Sequence, residues 1–223
     1  MTVSKNIFLS WSGGKDSSLA LYEIQKANQH SVAALLTTIT EDYDRISMHG
    51  VRRVLLEQQA EALGLPLKKI LIPKDSTNAI YEARMRTLLE EGLREGIDTV
   101  AFGDIFLEDL KIYREKNLAQ LGMMGLFPIW KRDTAELART FIALGFKAVL
   151  VCVDTAILDP SFAGRPYDLD LLRDLPPHVD PCGENGEFHS FAFDGPIFKR
   201  RINHTVGEVV RRDHYCFCDL IPA

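Results

Sequence analysis

Short apolar runs alternate with segments of helical hydrophobic spacing through the first 130 residues of this 223-residue chain. The runs are typical of buried parallel strands, which we predict to begin at residue 7 and to recur at 32–39, 69–72, 99–105 and 127–130. The segments that follow the strands predict helices, one beginning near residue 15 and others at 51–64, 78–96 and 108–120. Strands that alternate with helices in this way indicate an α/β domain built on a parallel sheet.

The pattern changes after residue 130. A helix at 134–144 and a strand at 148–153 precede a loop-rich stretch at 159–181, which contains several prolines. The remaining residues predict antiparallel strands, at 188–193, 198–206 and 215–221. We therefore expect two domains, residues 1–130 and a smaller α+β domain at 131–223.

The connection between the first strand and its helix carries the most specific chemistry. Residues 12–17 read S-G-G-K-D-S, and the two glycines let the backbone turn tightly and expose N–H groups to a ligand. The helix that follows adds unpaired N–H donors and the positive end of its dipole. Lys15 adds a positive charge, and the hydroxyls of Ser12 and Ser17 can donate to phosphate oxygens or cap the helix. These features predict a polyphosphate site, although neither the Walker pattern nor the dinucleotide fingerprint is present.

Further candidate residues follow the predicted second and fourth strands. Ligands of a doubly wound sheet bind beyond the carboxyl ends of its strands, so Thr37 and Thr38 are expected to face the nucleotide unless they merely close the strand. Gly103 and Asp104 end the fourth strand, where a glycine permits close approach of backbone and ligand and an aspartate can bind Mg²⁺. The polar loop after the second strand contains His49, which either reaches the phosphates or lies in solvent.

A second polar motif lies at 180–189, where glycines at 183 and 186 imply a tightly folded turn. It carries two carboxylates, those of Glu184 and Glu187, together with an amide and an imidazole. Such carboxylates can bind an ammonium ion, coordinate a metal or act as bases. From this segment alone, a charged surface hairpin is an equally good interpretation.

Composition and charge narrow the class of protein only a little. The chain is 46% hydrophobic with a formal net charge of −5, which describes a globular protein and argues weakly against a general nucleic-acid binder. No apolar run approaches the length of a membrane span, so we expect a cytoplasmic protein without membrane partners. Four scattered cysteines are too few for a disulfide scaffold, and we predict them to be reduced and partly buried.

These motifs together resemble those of a known family. The hexapeptide at 12–17 closely resembles the pyrophosphate loop (PP-loop) of the N-type ATP pyrophosphatases. With G-D-I at 103–105, P-I-W at 128–130 and C-G-E-N-G-E-F-H at 182–189, the chain resembles the diphthine–ammonia ligase family, a branch of those enzymes, from residue 7 to about 200. Ile129 and Asn185 depart from the residues common in that family, but neither change removes a charge or a donor needed for ATP.

The resemblance implies a nucleotide-binding fold of the HUP or Rossmann-like type and an enzyme that uses ATP and Mg²⁺. Such an enzyme adenylates a substrate carboxylate, releases pyrophosphate and lets ammonia displace AMP to form an amide. With the strand-end candidates included, the residues expected to bind ATP are Ser10, Ser12, Gly13, Gly14, Lys15, Asp16, Ser17, Thr37, Thr38, His49, Gly103 and Asp104. The residues implied to bind the substrate are Glu184, Asn185, Gly186, Glu187 and His189. Those implied to be catalytic are Lys15, Asp16, Glu184 and Glu187, and those implied to bind Mg²⁺ are Asp16 and Asp104.

The acceptor and the partners are less well defined. The resemblance implies a carboxylate such as that of a modified histidine on a protein, with free ammonia as nitrogen source because no residue fits a glutaminase nucleophile. A homodimer is one assembly to consider. Two alternatives share the loop or the fold: an ATP pyrophosphatase that acts on another substrate such as a tRNA base, and a nucleotide sensor without catalysis. The acidic composition argues against the tRNA enzyme, and release of pyrophosphate would separate an enzyme from a sensor.

Overall fold

A computed structural model of the chain describes residues 4–46, 50–74 and 76–223. The strands within these ranges are β1 (Lys5–Ser10), β2 (His30–Thr40), β3 (Arg45–Ile46), β4 (Leu67–Ile72), β5 (Thr99–Ala101), β6 (Met124–Leu126), β7 (Lys147–Asp154), β8 (Phe188–Asp194), β9 (His204–Arg212) and β10 (Tyr215–Pro222). The α-helices are α1 (Lys15–Ala27), α2 (Arg53–Leu63), α3 (Asn78–Arg94), α4 (Glu108–Ala119), α5 (Thr134–Ala143) and α6 (Leu169–Asp174).

The first sheet is doubly wound. Five parallel strands stand in the order β4-β2-β1-β5-β6, and β3 pairs antiparallel with the carboxyl end of β2, beyond the point where β1 ends. The chain proceeds outward from β1 to β2 and β4, and then crosses back to β5 and β6 on the other side of β1. The strand order therefore reverses between β1 and β5, and the crevice at such a reversal is where α/β sheets bind their ligands.

Helices and a second sheet bury both faces of the first sheet. Phe8 of β1 belongs to a buried cluster with Leu89 of α3 and Leu118 of α4 on one face. Its neighbours Ile7 and Leu9 point to the opposite face, into a larger cluster that α1, α2 and the second sheet also supply. Burial on both faces explains why the parallel strands are continuous apolar runs in the sequence.

The second sheet is antiparallel, with its strands in the order β8-β7-β10-β9. Its β8 edge lies against the connection between β1 and α1, where the Ala192 N–H donates to the Gly13 carbonyl over 2.8 Å. Beyond β8, the Lys199 N–H donates to the Ala62 carbonyl of α2, also over 2.8 Å. The second sheet therefore forms a wall of the crevice at the carboxyl edge of the first sheet.

The predicted fold class is confirmed, but the predicted fifth parallel strand is wrong in its position. Strand β6 is Met124–Leu126, and the residues at 127–130 form a turn in which the Trp130 N–H donates to the Phe127 carbonyl over 3.2 Å. Pro128 has no N–H to give to a strand ladder. The Phe127 ring instead stacks on Phe102, with ring centroids 5.4 Å apart.

The strand predicted at 198–206 is also wrong in its bounds, since β9 spans His204–Arg212. Phe198 closes a turn, in which its N–H donates to the Gly195 carbonyl over 3.0 Å. The stretch at 159–181 contains the short helix α6 in addition to its loops.

Three expectations from the sequence concern the whole chain. All four cysteines are free and buried. Within the described ranges, no helix combines the length and the apolar character needed to cross a bilayer. The division into two domains at residue 130 stays a prediction, although the strands of the first sheet all precede that residue and those of the second sheet all follow it.

Candidate active site

A polar cleft of about 400 Å³ opens at the strand-order reversal between β1 and β5. Its walls come from three parts of the chain: the connection from β1 into α1, the segment that follows β5, and the turn that leads into β8. The residues predicted from the sequence that line this phosphate cleft are Ser10, Ser12, Gly14, Lys15, Asp16, Ser17, Gly103, Asp104, Glu184, Asn185, Gly186 and His189. The fold thus brings both sequence motifs to one cavity.

A wider cleft of about 1040 Å³ continues from the first one across the end of β2. Thr37 and Thr38, which the sequence predicts to face the nucleotide, line this cleft together with Tyr43 and Tyr81. We call it the adenosine-side cleft after that prediction. The Thr37 side chain is buried, and its hydroxyl has no hydrogen-bond partner among the described residues. Because a buried polar group is normally paired, this hydroxyl is well placed to bond a ligand.

Gly13 sits behind the phosphate cleft and fixes the path of the loop. Its φ is +78°, and a Cβ atom there would lie 2.6 Å from the Gln59 side-chain oxygen. The Gly13 carbonyl accepts from Gln59 Nε2 over 2.9 Å, and Gln59 also accepts from the Trp11 indole N–H over 3.0 Å. The wholly buried Gln59 therefore holds the Gly13 backbone and the Trp11 side chain, one on each side of Ser12.

The start of α1 is braced by hydroxyl groups. Ser17 and Ser18 donate to the Gly14 carbonyl over 3.0 and 2.9 Å, and the Gly14 N–H donates to Ser12 Oγ over 3.3 Å. From the second sheet, Ser190 Oγ accepts from the Lys15 N–H over 3.1 Å. These bonds hold the helix N-terminus in place before any ligand is bound.

Lys15 joins the loop to the second polar motif. Its side chain is 4% exposed, and Nζ donates to the Asp16 carboxylate over 2.8 Å and to the Cys182 carbonyl. The rings of Tyr167 and Phe188 lie 5.8 and 5.4 Å from the same nitrogen. Burial alone would lower the pKa of Lys15, but Asp16, Cys182 and Glu184 together outweigh it and raise that pKa, so the amine is charged.

The Glu187 side chain is enclosed by the turn that carries it. It is buried, and its oxygens accept from the Asp180 N–H, the Asn185 N–H and Asn185 Nδ2, each over 3.0 Å. All three bonds lie within its own turn. The geometry therefore favours Glu187 as the organiser of that turn, and its predicted catalytic role stays a prediction.

Glu184 reaches across the phosphate cleft to the segment that follows β5. One carboxylate oxygen accepts from the Ile105 N–H over 2.7 Å and from the Phe106 N–H over 3.3 Å. Burial raises the pKa of Glu184 to about 7, despite the opposing effect of these N–H groups. A carboxyl group with this pKa can exchange a proton near neutral pH, which suits acid–base chemistry.

His189 lies where the two clefts meet, because it lines both of them. Burial and, to a smaller extent, the nearby Lys15 charge lower the pKa of His189 to about 4, so the imidazole is neutral at pH 7. A neutral imidazole can donate or accept a hydrogen bond to substrate without adding charge.

The predicted Mg²⁺ ligands both already have cationic partners. Asp16 pairs with Lys15 at 2.8 Å, and Asp104 pairs with Arg114, whose Nε lies 2.6 Å from one carboxylate oxygen. Among the described residues, no group of three His, Cys, Asp or Glu side chains could hold a metal ion. The described part of the chain therefore does not by itself supply a complete metal site, and the metal roles of Asp16 and Asp104 stay predictions.

His49 lies outside the described residues. Gln59, which the sequence analysis missed, had a signal: it shares the apolar face of its helix with Leu55, Leu56 and Leu63, and a polar residue on a buried face must find partners.

An S-G-G-K-D-S loop at the strand-order reversal of a doubly wound sheet, open to a cleft of about 400 Å³, is the arrangement of a PP-loop ATP pyrophosphatase. The model of the diphthamide synthase N-terminal domain matches residues 4–125, and that of the diphthamide synthase C-terminal domain matches residues 133–220. The chain belongs to the diphthamide synthase family, as the resemblance of its motifs predicted.

Individual relatives agree with this assignment. The diphthine–ammonia ligase of Rattus norvegicus is 28% identical over 89% of this chain and 82% of its own length, and that of Mus musculus is 30% identical over 86% and 79%. The diphthine–ammonia ligase of Schizosaccharomyces pombe is 28% identical over 94% of this chain and 38% of its own length. These relatives and the family make the chain an ATP-dependent amide ligase, which confirms the enzyme class predicted from the sequence.

One solved structure shows a distant likeness. The U34-tRNA thiolase NcsA from Methanococcus maripaludis, with its 4Fe-4S cluster, is 20% identical and has a TM-score of 0.39. The match covers 63% of this chain and 57% of that chain, and it does not bear on function.

Proposed function

We propose that this protein uses ATP to activate the carboxylate of diphthine, a modified histidine on a protein, and that ammonia then converts this carboxylate to an amide. The observation that carries the proposal is the contact of Lys15 with both motifs: its amine touches Asp16 of the loop and the carbonyl of Cys182 in the second motif. This contact supports a single site in which the loop binds the phosphates and the second motif meets the acceptor.

The two clefts account for the two ends of ATP. The loop N–H groups and Lys15 would hold the pyrophosphate that leaves, at the N-terminus of α1. The adenosine would then lie across the end of β2, where the unpartnered Thr37 hydroxyl lines the wider cleft. Ser10 and Ser12 line both cavities, which supports a position for the α-phosphate between them.

The reaction has two steps. A carboxylate oxygen of the acceptor attacks the α-phosphorus, and pyrophosphate leaves with the electrons of the broken P–O bond while the loop stabilises its charge. Ammonium then gives one proton to Glu184, ammonia attacks the carbonyl carbon, and AMP departs as a second proton passes to water. Glu184 suits this role because it faces the same cleft and has a pKa of about 7.

Mg²⁺ would accompany ATP in this proposal. The ion commonly keeps several waters and takes one or two protein carboxylates together with phosphate oxygens. Since the described residues offer no complete set of ligands, most of its coordination would come from ATP and water.

The test is a product analysis with ATP, ammonium and a diphthine-bearing acceptor. We expect AMP and pyrophosphate in equal amounts with the amidated product, and a loss of at least about 100-fold in rate for Lys15→Met. Lys26→Met, in the last turn of the same helix, is the matched control and is expected to retain full activity. Release of ADP, or ATP binding with no acceptor-dependent pyrophosphate, would overturn the proposal, and the second result would indicate a sensor.

A further inference from the structure

Arg114 of α4 occupies the junction of the two clefts. It lines the phosphate cleft, the adenosine-side cleft and a small apolar cavity between α3 and α4. Of the described residues that line the phosphate cleft, the positively charged side chains are those of Lys15 and Arg114. Lys15 is buried beneath the second motif and paired with Asp16. Of these two cations, Arg114 is the one that also lines the adenosine-side cleft.

Two neighbours hold the Arg114 guanidinium in one orientation. Asp104 contacts it twice, at 2.6 Å from Nε and at 3.2 Å from Nη2. On its flat side, the guanidinium carbon lies 4.4 Å from the centroid of the Phe102 ring. A guanidinium that is paired along one edge and stacked on an aromatic ring is preorganised, and its remaining edge can bind a second anion.

We propose that Arg114 binds the α-phosphate of the nucleotide and that Asp104 is a positioning residue for Arg114 rather than a ligand of Mg²⁺. The α-phosphate lies between the adenosine and the two phosphates that leave, which is the position Arg114 borders. Attack at the α-phosphorus adds negative charge there, and a fixed cation stabilises that charge. Asp104, with a side chain only 12% exposed and already paired, serves to keep the guanidinium aimed at this point.

This inference rests on the proposed function for its chemistry, but its test does not require turnover. AMP carries only the α-phosphate, whereas pyrophosphate contains only the two phosphates that leave. Binding of each to the purified protein, measured calorimetrically in EDTA, separates the two subsites. We expect Arg114→Gln to weaken AMP binding by about 10-fold or more and to leave pyrophosphate binding within about twofold.

Asp104→Asn is expected to weaken AMP binding by a smaller factor. The double variant should bind AMP no more weakly than Arg114→Gln alone, since the two substitutions act on the same interaction. Lys116→Gln, an exposed cation in the last turn of α4, is the matched control and should change neither affinity. Thermal melting of each variant shows that it is folded.

Two results would overturn the inference. One is an unchanged AMP affinity in Arg114→Gln. The other is an Asp104→Asn variant that binds AMP normally in EDTA but needs several-fold more Mg²⁺ for half-maximal pyrophosphate release, which would make Asp104 a metal ligand. If AMP binding responds as expected while no acceptor yields pyrophosphate, the subsite stands and the proposed reaction fails.

Discussion

Gly103→Ala tests whether the spacing between β5 and α1 controls the reaction. A Cβ atom at Gly103 would lie 2.9 Å from the Asp16 carbonyl carbon and the Ser17 nitrogen, and 3.0 Å from the Asp16 carbonyl oxygen. Ordinary van der Waals contact begins at 3.4 Å, so the two backbone segments must separate by roughly 0.5 Å. Neither can yield by a side-chain rotation, since both are main chain at the edge of the phosphate cleft.

A displacement of 1 Å at a reacting centre can cost about 100-fold in rate, so half that shift is expected to lower kcat/KM for ATP by about 10-fold. The strain should also cost about 1–3 kcal/mol in the free energy of unfolding. The assay is ATP-dependent pyrophosphate release, with denaturant unfolding measured in parallel.

The matched control for this variant is Gly122→Ala. Gly122 has a φ of +69° and open space around its Cβ position, so alanine there costs about 1–2 kcal/mol of backbone strain without a clash. It lies between α4 and β6, away from the cleft, and should lose stability but keep kcat/KM. A Gly103→Ala enzyme with normal kcat/KM for ATP would refute the reasoning about spacing.

Three further predictions concern single side chains. Since the Glu184 carboxylate exists mainly above its pKa of about 7, kcat/KM for ammonium should rise as pH increases through that value, and Glu184→Gln should be slow and lack this step in its pH–rate profile. Gln59→Leu leaves buried partners unpaired, so it should lower the free energy of unfolding in denaturant by about 2–4 kcal/mol and raise KM for ATP. Gln58→Leu, at the half-buried neighbouring residue, is the control and should change neither quantity. Asp219, held by Arg45 and Arg52, has its pKa lowered to about 2 from an ordinary 3.8. Its ion pairs therefore stabilise the fold above about pH 3.8 and lose that effect as the pH falls towards 2, so Asp219→Asn should cost about 1 kcal/mol at pH 7 and remove this part of the acid dependence of melting.

The sequence predicts the parts of the site that depend on neighbouring residues. The loop at 12–17 is contiguous, and its glycines, lysine and serines perform local tasks at a strand–helix junction. The strand order can also be predicted, because apolar runs separated by helices are compatible with few topologies of a parallel sheet. Gly103 and Asp104 can be found in the same way, although the strand predicted at 99–105 is too long. Strand β5 is Thr99–Ala101, so the two residues lie just after a strand next to β1.

Contacts between distant parts of the chain could not be predicted in this way. Gln59 bonds to Gly13 and Ala192, which are 46 and 133 residues away, and no local pattern encodes such pairs. The roles of Glu184 and Glu187 are similarly hidden. The two residues share one turn, yet Glu184 reaches the segment after β5 and Glu187 folds back on its own turn. Glycines in the turn break any periodic orientation of side chains.

The bonds around the loop imply that nucleotide and acceptor binding are coupled at the site we propose. The Gly13 carbonyl, the Lys15 N–H and the Lys15 amine all bond to residues between 182 and 192, so the second sheet and its turn shape the surface proposed to meet the phosphates. A phosphate group that attracts the Lys15 amine competes with the Cys182 carbonyl for it. Any shift of that carbonyl moves Glu184, two residues further along the turn. Since coupling between two sites is reciprocal, an acceptor that fixes this turn must change ATP affinity by the same factor by which ATP changes affinity for the acceptor.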